Sequence, residues 1–185
     1  MADLTPTTPC AGLGLPLDLG DVILVEVEPE SITAITPFPS GRVAADAALR
    51  EKWGLGLPAP GETAQAGDDE IRWAGLDEVW FLGPGFREDH DILSGPAAIT
   101  DESAGWARLL LTGPASADVL RRLMPVDPSA LSPGQTVRTQ LAHMMASVTA
   151  RESGFEVMAM RSFAGSLVHD IEAAMRSVIA QSSLE

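Results

Sequence analysis

Short apolar-periodic runs alternate along this chain with clusters of glycine, proline and small polar residues, and the period of each run indicates its element. "VILVEVE" from Val22 ends in strict alternation and "SITAITPF" follows across Pro29, which predicts two strands joined by a short turn. Ser40 stands where a helix cap belongs. Beyond it Ala45, Leu49 and Trp53 recur at steps of four as an inward stripe, with Arg42, Asp46 and Arg50 as an outer ion-pair row, until Gly54 ends the helix. "LGLPAPGETAQAGDD" has the composition of a loop, and "EIRWAGLDEVWFLGPG" reads as a hairpin turning at Ala74 to Asp77 and packed by Trp73 and Trp80.

The second half repeats the mixture. "FREDHDILSGP" is irregular and "WARLLLTG" is a strand. Gly113 and Pro114 open a helix with Pro114 in its first turn and Ala115, Val119 and Leu123 inward, and Pro125 halts it. Val137 to Ala150 is too long for one ordinary strand, so a bend belongs near His143, before a turn at Glu152 to Gly154 and a last strand through Met160. Ser162 then caps a final helix from about Phe163 to Ile179, with Phe163, Leu167, Ile171 and Met175 facing the core. Antiparallel hairpins with helices that do not strictly alternate predict an α+β fold, with antiparallel mixed sheets and about three helices. "GLGLP" at 12–16 and again at 54–58 is a weak sign of internal duplication.

A length of 185 residues suits one domain, or one built from two similar halves, with a sizeable core. The expected division is an extended amino-terminal arm over residues 1–20, rich in proline and glycine, a single α+β domain over 21–181, and a tail at 182–185. Twelve Lys and Arg against 26 Asp and Glu leave a net charge of −14, which repels phosphate backbones and anionic headgroups and makes nucleic acid and membrane poor partners. The one cysteine, Cys10, forms no internal disulfide and builds no thiolate metal site; it lies in the segment expected to be unstructured. With no secretory signal pattern and no apolar window of membrane-spanning length, a soluble, cytoplasmic protein is expected.

Candidate chemistry is sparse. On the last helix, Ser166, His169, Asp170 and Glu172 fall on the flank and outer side. His169 and Asp170, adjacent in sequence, project about 100° apart, so they cannot make the base-to-carboxylate bond of a triad. Ser166 has Ala164 and Val168 where a nucleophile elbow needs glycines. "REDHD", Arg87 to Asp91, gathers carboxylates and His90 but lacks the spacing of a calcium loop, and His143 reads as a histidine at the edge of the core. Gly12-x-Gly14 and Gly54-x-Gly56 lack the third glycine of a dinucleotide fingerprint, and "LGPGF" (Leu82 to Phe86) and "LTGP" (Leu111 to Pro114) are explained by strand-end turns. Met144, Met145, Met158 and Met160 read as strand packing. The residues therefore yield no catalytic, cofactor-binding or metal site.

The carboxy-terminal half resembles the gamma subunit of heterotetrameric sarcosine oxidase. The resemblance is carried by Thr112 to Ala117, by "VDPSALSPGQTVRTQLA" (Val126 to Ala142) and by "FEVMAMRSFAGSL" (Phe155 to Leu167), with "RWAGLDEVWFLGPG" (Arg72 to Gly85) upstream. It implies a pseudo-duplicated fold similar to the folate-binding domain of aminomethyltransferases. It also implies a complex of alpha, beta, gamma and delta subunits that oxidatively demethylates sarcosine and passes the one-carbon unit to tetrahydrofolate. FAD, FMN, NAD, tetrahydrofolate and zinc would sit on the partner subunits and none on this chain, whose role would be to hold the flavin and folate subunits together. The equivalent small subunit of N-methylglutamate dehydrogenase fits the same pattern. A stand-alone folate-binding aminomethyltransferase would instead need a carboxylate in its central cavity, with Asp101 and Glu102 as candidates that read as solvent-facing. An acidic scaffold for an unrelated partner is the third class.

Overall fold

The computed structural model describes residues 7–27, 31–86 and 89–182. Its strands are β1 (Leu17–Asp18), β2 (Ile23–Glu26), β3 (Ile32–Pro37), β4 (Thr63–Ala66), β5 (Asp69–Trp73), β6 (Val79–Leu82), β7 (Ala97–Asp101), β8 (Trp106–Thr112), β9 (Thr136–Leu141), β10 (Met144–Arg151) and β11 (Gly154–Met160). Three helices join them: α1 (Arg42–Trp53) after β3, α2 (Ser116–Arg121) after β8, and α3 (Ala164–Ser182) after β11. The strands form two antiparallel sheets, ordered β1-β2-β8-β11-β10-β9 and β4-β5-β6-β3-β7. The α+β class is thus the observed one.

One plan is used twice. A strand, a helix and a three-stranded meander follow in order, and the last strand of the meander returns to pair with the first: β3-α1-β4-β5-β6, then β8-α2-β9-β10-β11. The strand just before each unit crosses into the other sheet, so β2 pairs with β8 while β7 pairs with β3. For this reason "VILVEVE" and "SITAITPF" do not form the expected hairpin; β2 and β3 lie in different sheets, and residues 28–30 between them fall outside the described residues. The two "GLGLP" copies hold unrelated places, before β1 and after α1, and do not mark this repeat. Where β4 and β9 begin, a bridge between Glu62 and Gln135 joins the sheets, with Thr63 N–H donating to Gly134 O (2.9 Å) and Thr136 N–H to Gly61 O (2.8 Å).

Strand period two sorts each sheet into a helix-facing and a sheet-facing side. Leu109, Val148 and Val157 lie in one apolar core with Val119 of α2 and Leu167, Ile171 and Met175 of α3. Ile35, Ile71 and Phe81 share the second core with Ala45 and Leu49 of α1. Each fully buried Leu, Ile or Val contributes about 1.5–3 kcal/mol, so these outer layers supply most of the stability. Between the sheets the apolar cluster is small: Ile32, Ala34, Ala74, Trp80, Leu82 and Met158, with Trp106 at its edge. Polar and charged side chains fill the rest of that layer.

Several local expectations are corrected. α1 starts without a side-chain cap from Ser40; Gly41 holds the N-cap position, pressed so close to Pro96 that a Cβ there would lie 2.1 Å from its carbonyl oxygen. Gly54 does end α1, at φ +70° with its N–H on Arg50 O. The supposed loop 55–69 contains β4, whose short exposed "TAQA" carries no apolar signal. β7 was hidden the same way in "AAITD". α2 begins at Ser116, so Pro114 precedes it, and it ends at Arg121, short of Pro125. Ser162 lies in a 3-10 turn, Arg161–Phe163, and caps nothing, while Phe163 is exposed rather than inward. The bend near His143 exists as a tight β9–β10 turn with Ala142 at φ +50°, and His143 is exposed at its tip.

Residues 7–20 turn over Pro9 to Gly12, with Leu13 N–H donating to Cys10 O (3.0 Å), then run through β1, and they lie on the chain's own core. Leu13, Leu15, Leu17 and Leu19 pack against it, and Cys10 is buried rather than in an unstructured segment. Glu26 holds them by accepting from Thr8 Oγ1 (2.7 Å) and Cys10 N–H (2.8 Å), while Arg161 donates to Thr7 O (2.6 Å).

Candidate functional site

The charged groups in the sheet-facing layer come from strands whose other face is apolar. In β5, Ile71 points to α1, which turns Glu70 and Arg72 inward between the sheets; in β11, Phe155 and Val157 face α3, which turns Glu156 and Met158 inward. Arg72 is 0% exposed. Its Nε donates to Glu70 (2.8 Å), its Nη2 to Glu156 (3.0 Å), and its Nη1 lies 2.9 Å from Met158 Sδ. Glu156 also accepts from Arg108 Nε (2.8 Å) and Arg151 Nη2 (2.6 Å), and Arg151 Nη2 lies 2.7 Å from Glu70. Three guanidiniums and two carboxylates thus form one closed network across the sheets.

Burial alone would raise the Glu156 pKa, but Arg72, Arg108 and Arg151 outweigh it and hold the carboxyl well below the usual range. Burial likewise opposes the charge of Arg151, and Glu156 and Glu70 more than restore it. Beside the network opens a cavity of about 560 Å³, bordered by Arg108, Arg151, Glu70, Glu156, Asp68 and Glu152. Its volume is in the range of ligand sites. Its central charges, however, already satisfy one another.

At the other end of the layer, Arg138 of β9 lies over two tryptophans, 4.8 Å from the Trp80 ring centre and 5.4 Å from that of Trp106. Those rings are 4.5 Å apart, and Trp106 Nε1 donates to Glu102 (2.8 Å). Burial pulls the Arg138 pKa down, and Glu78 and Glu102 partly offset this. Trp80 Nε1 and Arg138 Nη1 have no acceptor among the described residues. Stacking a guanidinium on aromatic faces compensates part of that cost.

The residues singled out from sequence are mostly elsewhere. Ser166, His169 and Asp170 gather with His143, Met144 and Phe163 around a surface depression, and among the described residues no hydrogen bond joins the serine, histidine and aspartate side chains. In the "REDHD" run, Arg87 and Glu88 lie outside the described residues and Asp89 pairs with Lys52 at 2.8 Å. Among the described residues no cluster of three or more His, Cys, Asp or Glu has metal-binding geometry. Asp101 accepts from Ser103 N (3.0 Å) and Ser103 Oγ (2.6 Å), outside the cavity. Met144 and Met158 are packing residues, whereas Met145 and Met160 are exposed, against expectation. No described helix is long and apolar enough to cross a membrane.

No protein-family model matches the sequence, and no curated protein matches it either. Among solved structures, one chain of the heterotetrameric sarcosine oxidase from Corynebacterium sp. U-96, determined in complex with pyrrole 2-carboxylate, superimposes with a TM-score of 0.81 at 28% identity. The match covers 94% of this chain and 96% of that one. The chain is similar to a sarcosine oxidase subunit. Because the likeness runs over nearly the whole of both chains, it takes in both repeated units and the crossed strands together.

The network of this sarcosine oxidase-like chain was missed in the sequence although a signal was present. Glu70 and Arg72 alternate with apolar neighbours, and Glu156 is the only charge in "FEVMAM". An acid inside an apolar strand needs a buried cation. Its partners are up to 84 residues away and not visible from spacing.

Proposed function

We propose that this chain is the non-catalytic gamma subunit of a heterotetrameric, cytoplasmic sarcosine oxidase, and that it holds the flavin and folate subunits in fixed relation. The complex would demethylate sarcosine oxidatively and pass the one-carbon unit to tetrahydrofolate. Alpha, beta and delta subunits would carry FAD, FMN, NAD, folate and zinc. The observation that carries this reading is the end-to-end likeness to a chain of such a heterotetramer.

The sheet-facing layer supports it. Pterin recognition in a central cavity needs a carboxylate free to accept from the ligand, and Glu156 is committed to three arginines. Asp101 and Glu102 are bonded to Ser103 and Trp106 and do not border the cavity. The carboxylates at the centre of the cavity, Glu70 and Glu156, are thus already committed to arginines, which weighs against tetrahydrofolate as its occupant. The cavity's volume is the one observation favouring a stand-alone folate-binding protein of this fold.

Calorimetric titration of the isolated chain with tetrahydrofolate separates the two readings. The subunit reading requires no saturable heat, with the chain recovered in a flavin-containing complex when its partners are co-expressed. Stoichiometric folate binding would transfer the assignment to the stand-alone reading.

A further inference from the structure

We propose that the open edge of β9, at Arg138 to Gln140, with Met145 and Met160 beside it, receives an extended, apolar, non-acidic segment of a partner subunit as an added strand. This rests on the subunit reading above and names the surface through which that subunit is held.

β9 is the last strand of its sheet. Ala150 N–H donates inward to Gln135 O (2.9 Å), whereas Thr136 N–H points outward to Gly61 O (2.8 Å). Antiparallel alternation then sends the backbone groups of Arg138 and Gln140 outward as well, beyond the short bridge to β4. Among the described residues their N–H groups meet no acceptor on that side, and Gln140 O accepts only a 3.4 Å bond from the neighbouring Thr139 hydroxyl. Exposed edges are normally blunted by lysine, proline or a bulge. "TVRTQL" has none of these, and its single charge, Arg138, is drawn inward onto Trp80 and Trp106.

The neighbouring face is apolar and uncovered. Gln140 pairs with Met145, the Ala146–Ala159 pairing sets Met145 opposite Met160, and Met160 pairs with Trp106. In that row Met145 is 58% exposed and Met160 54%. Isolated exposed methionines are ordinary, but two side by side next to an open edge offer a strand both hydrogen bonds and packing. Charge selects the occupant: Glu78 and Glu102 flank Arg138, and the chain as a whole carries −14. A second copy would bring the same repulsion, and an acidic segment would be disfavoured likewise.

The test uses the chain co-expressed with its alpha, beta and delta subunits, as wild type, Met145→Lys, Met160→Lys, and Leu76→Lys as a control at the 91% exposed turn between β5 and β6. Hydrogen exchange at the Arg138 and Gln140 amides should slow at least tenfold in the complex. The two methionine variants should keep the wild-type melting temperature when isolated and lower the assembled fraction about tenfold, with Leu76→Lys unchanged. Unaltered exchange at those amides overturns the proposal however the lysine variants behave. Self-association abolished by the same variants also overturns it, the occupant then being another copy. If the wild type assembles while the edge stays unprotected, only this inference fails; if the wild type joins no such subunits, the subunit reading fails with it.

Discussion

Arg72 and Glu156, 84 residues apart in sequence, meet at 3.0 Å between two sheets, each held by a further opposite charge. One belongs to each of the two repeated units, so the pair ties the halves together by charge where most folds would use an apolar layer. Such a pair discriminates against misregistered packing of the sheets, because any slip leaves a buried ion unpaired.

Removing one partner should therefore cost far more than an ordinary polar substitution. Glu156→Gln removes the negative charge that three guanidiniums share and sets an amide N–H donor against one of them, and Arg72→Met leaves Glu70 and Glu156 short of a cation. Each is expected to destabilise the fold by about 3–5 kcal/mol. Urea unfolding followed by tryptophan fluorescence measures this. The double variant Arg72→Met/Glu156→Gln should be less destabilised than the sum of the singles.

The same network sets a pH dependence. The folded Glu156 carboxyl titrates below its unfolded value of about 4.3. Its contribution is therefore complete above that unfolded pKa and declines as pH falls through it towards the folded one. Between pH 7 and pH 3, the stability gap between wild type and Glu156→Gln should narrow. Denaturant melts at several pH values would show it; a gap that widens on acidification contradicts the network's sign.

Gly113 illustrates a backbone requirement. At φ +104°, a Cβ would lie 2.4 Å from Asp21 O, which also accepts from Ala115 N–H at 3.2 Å. Gly113→Ala should cost about 2 kcal/mol or more through strain at that conformation. Thermal unfolding would register this as a lowered melting temperature.

Cys10 should be inert in the native chain. Burial, then the Glu26 carboxylate, push its thiol up to about 12, so little thiolate exists at neutral pH. A thiol-specific chromogenic reagent at pH 8 should react only after denaturant is added. Rapid reaction of the folded protein would mean that residues 7–20 detach readily from the core.

These residues also show what the sequence could reveal. Inward apolar stripes such as Leu167, Ile171 and Met175 made α3 legible, and the apolar run in "WARLLLTG" made β8 legible, because each pattern is written within its own element. β4 and β7 were not, since "TAQA" and "AAITD" take their strand character from partners elsewhere. The strand crossing depends on β2 choosing β8 over adjacent β3, a non-local pairing with no local mark. The angle of about 100° that separates His169 from Asp170 on α3 was readable from helix geometry alone. The network around Glu156 was not, because three arginines from three strands converge on it only after folding.

Affinity purification of the tagged chain from cells that also express the alpha, beta and delta subunits bears most directly on its role. One copy of the chain should emerge in a four-subunit particle with flavin absorbance and sarcosine-oxidising activity, while the chain purified alone is colourless and inactive. A colourless monomer from the co-expression, or turnover of sarcosine by the isolated chain, would contradict a structural subunit without reactive groups.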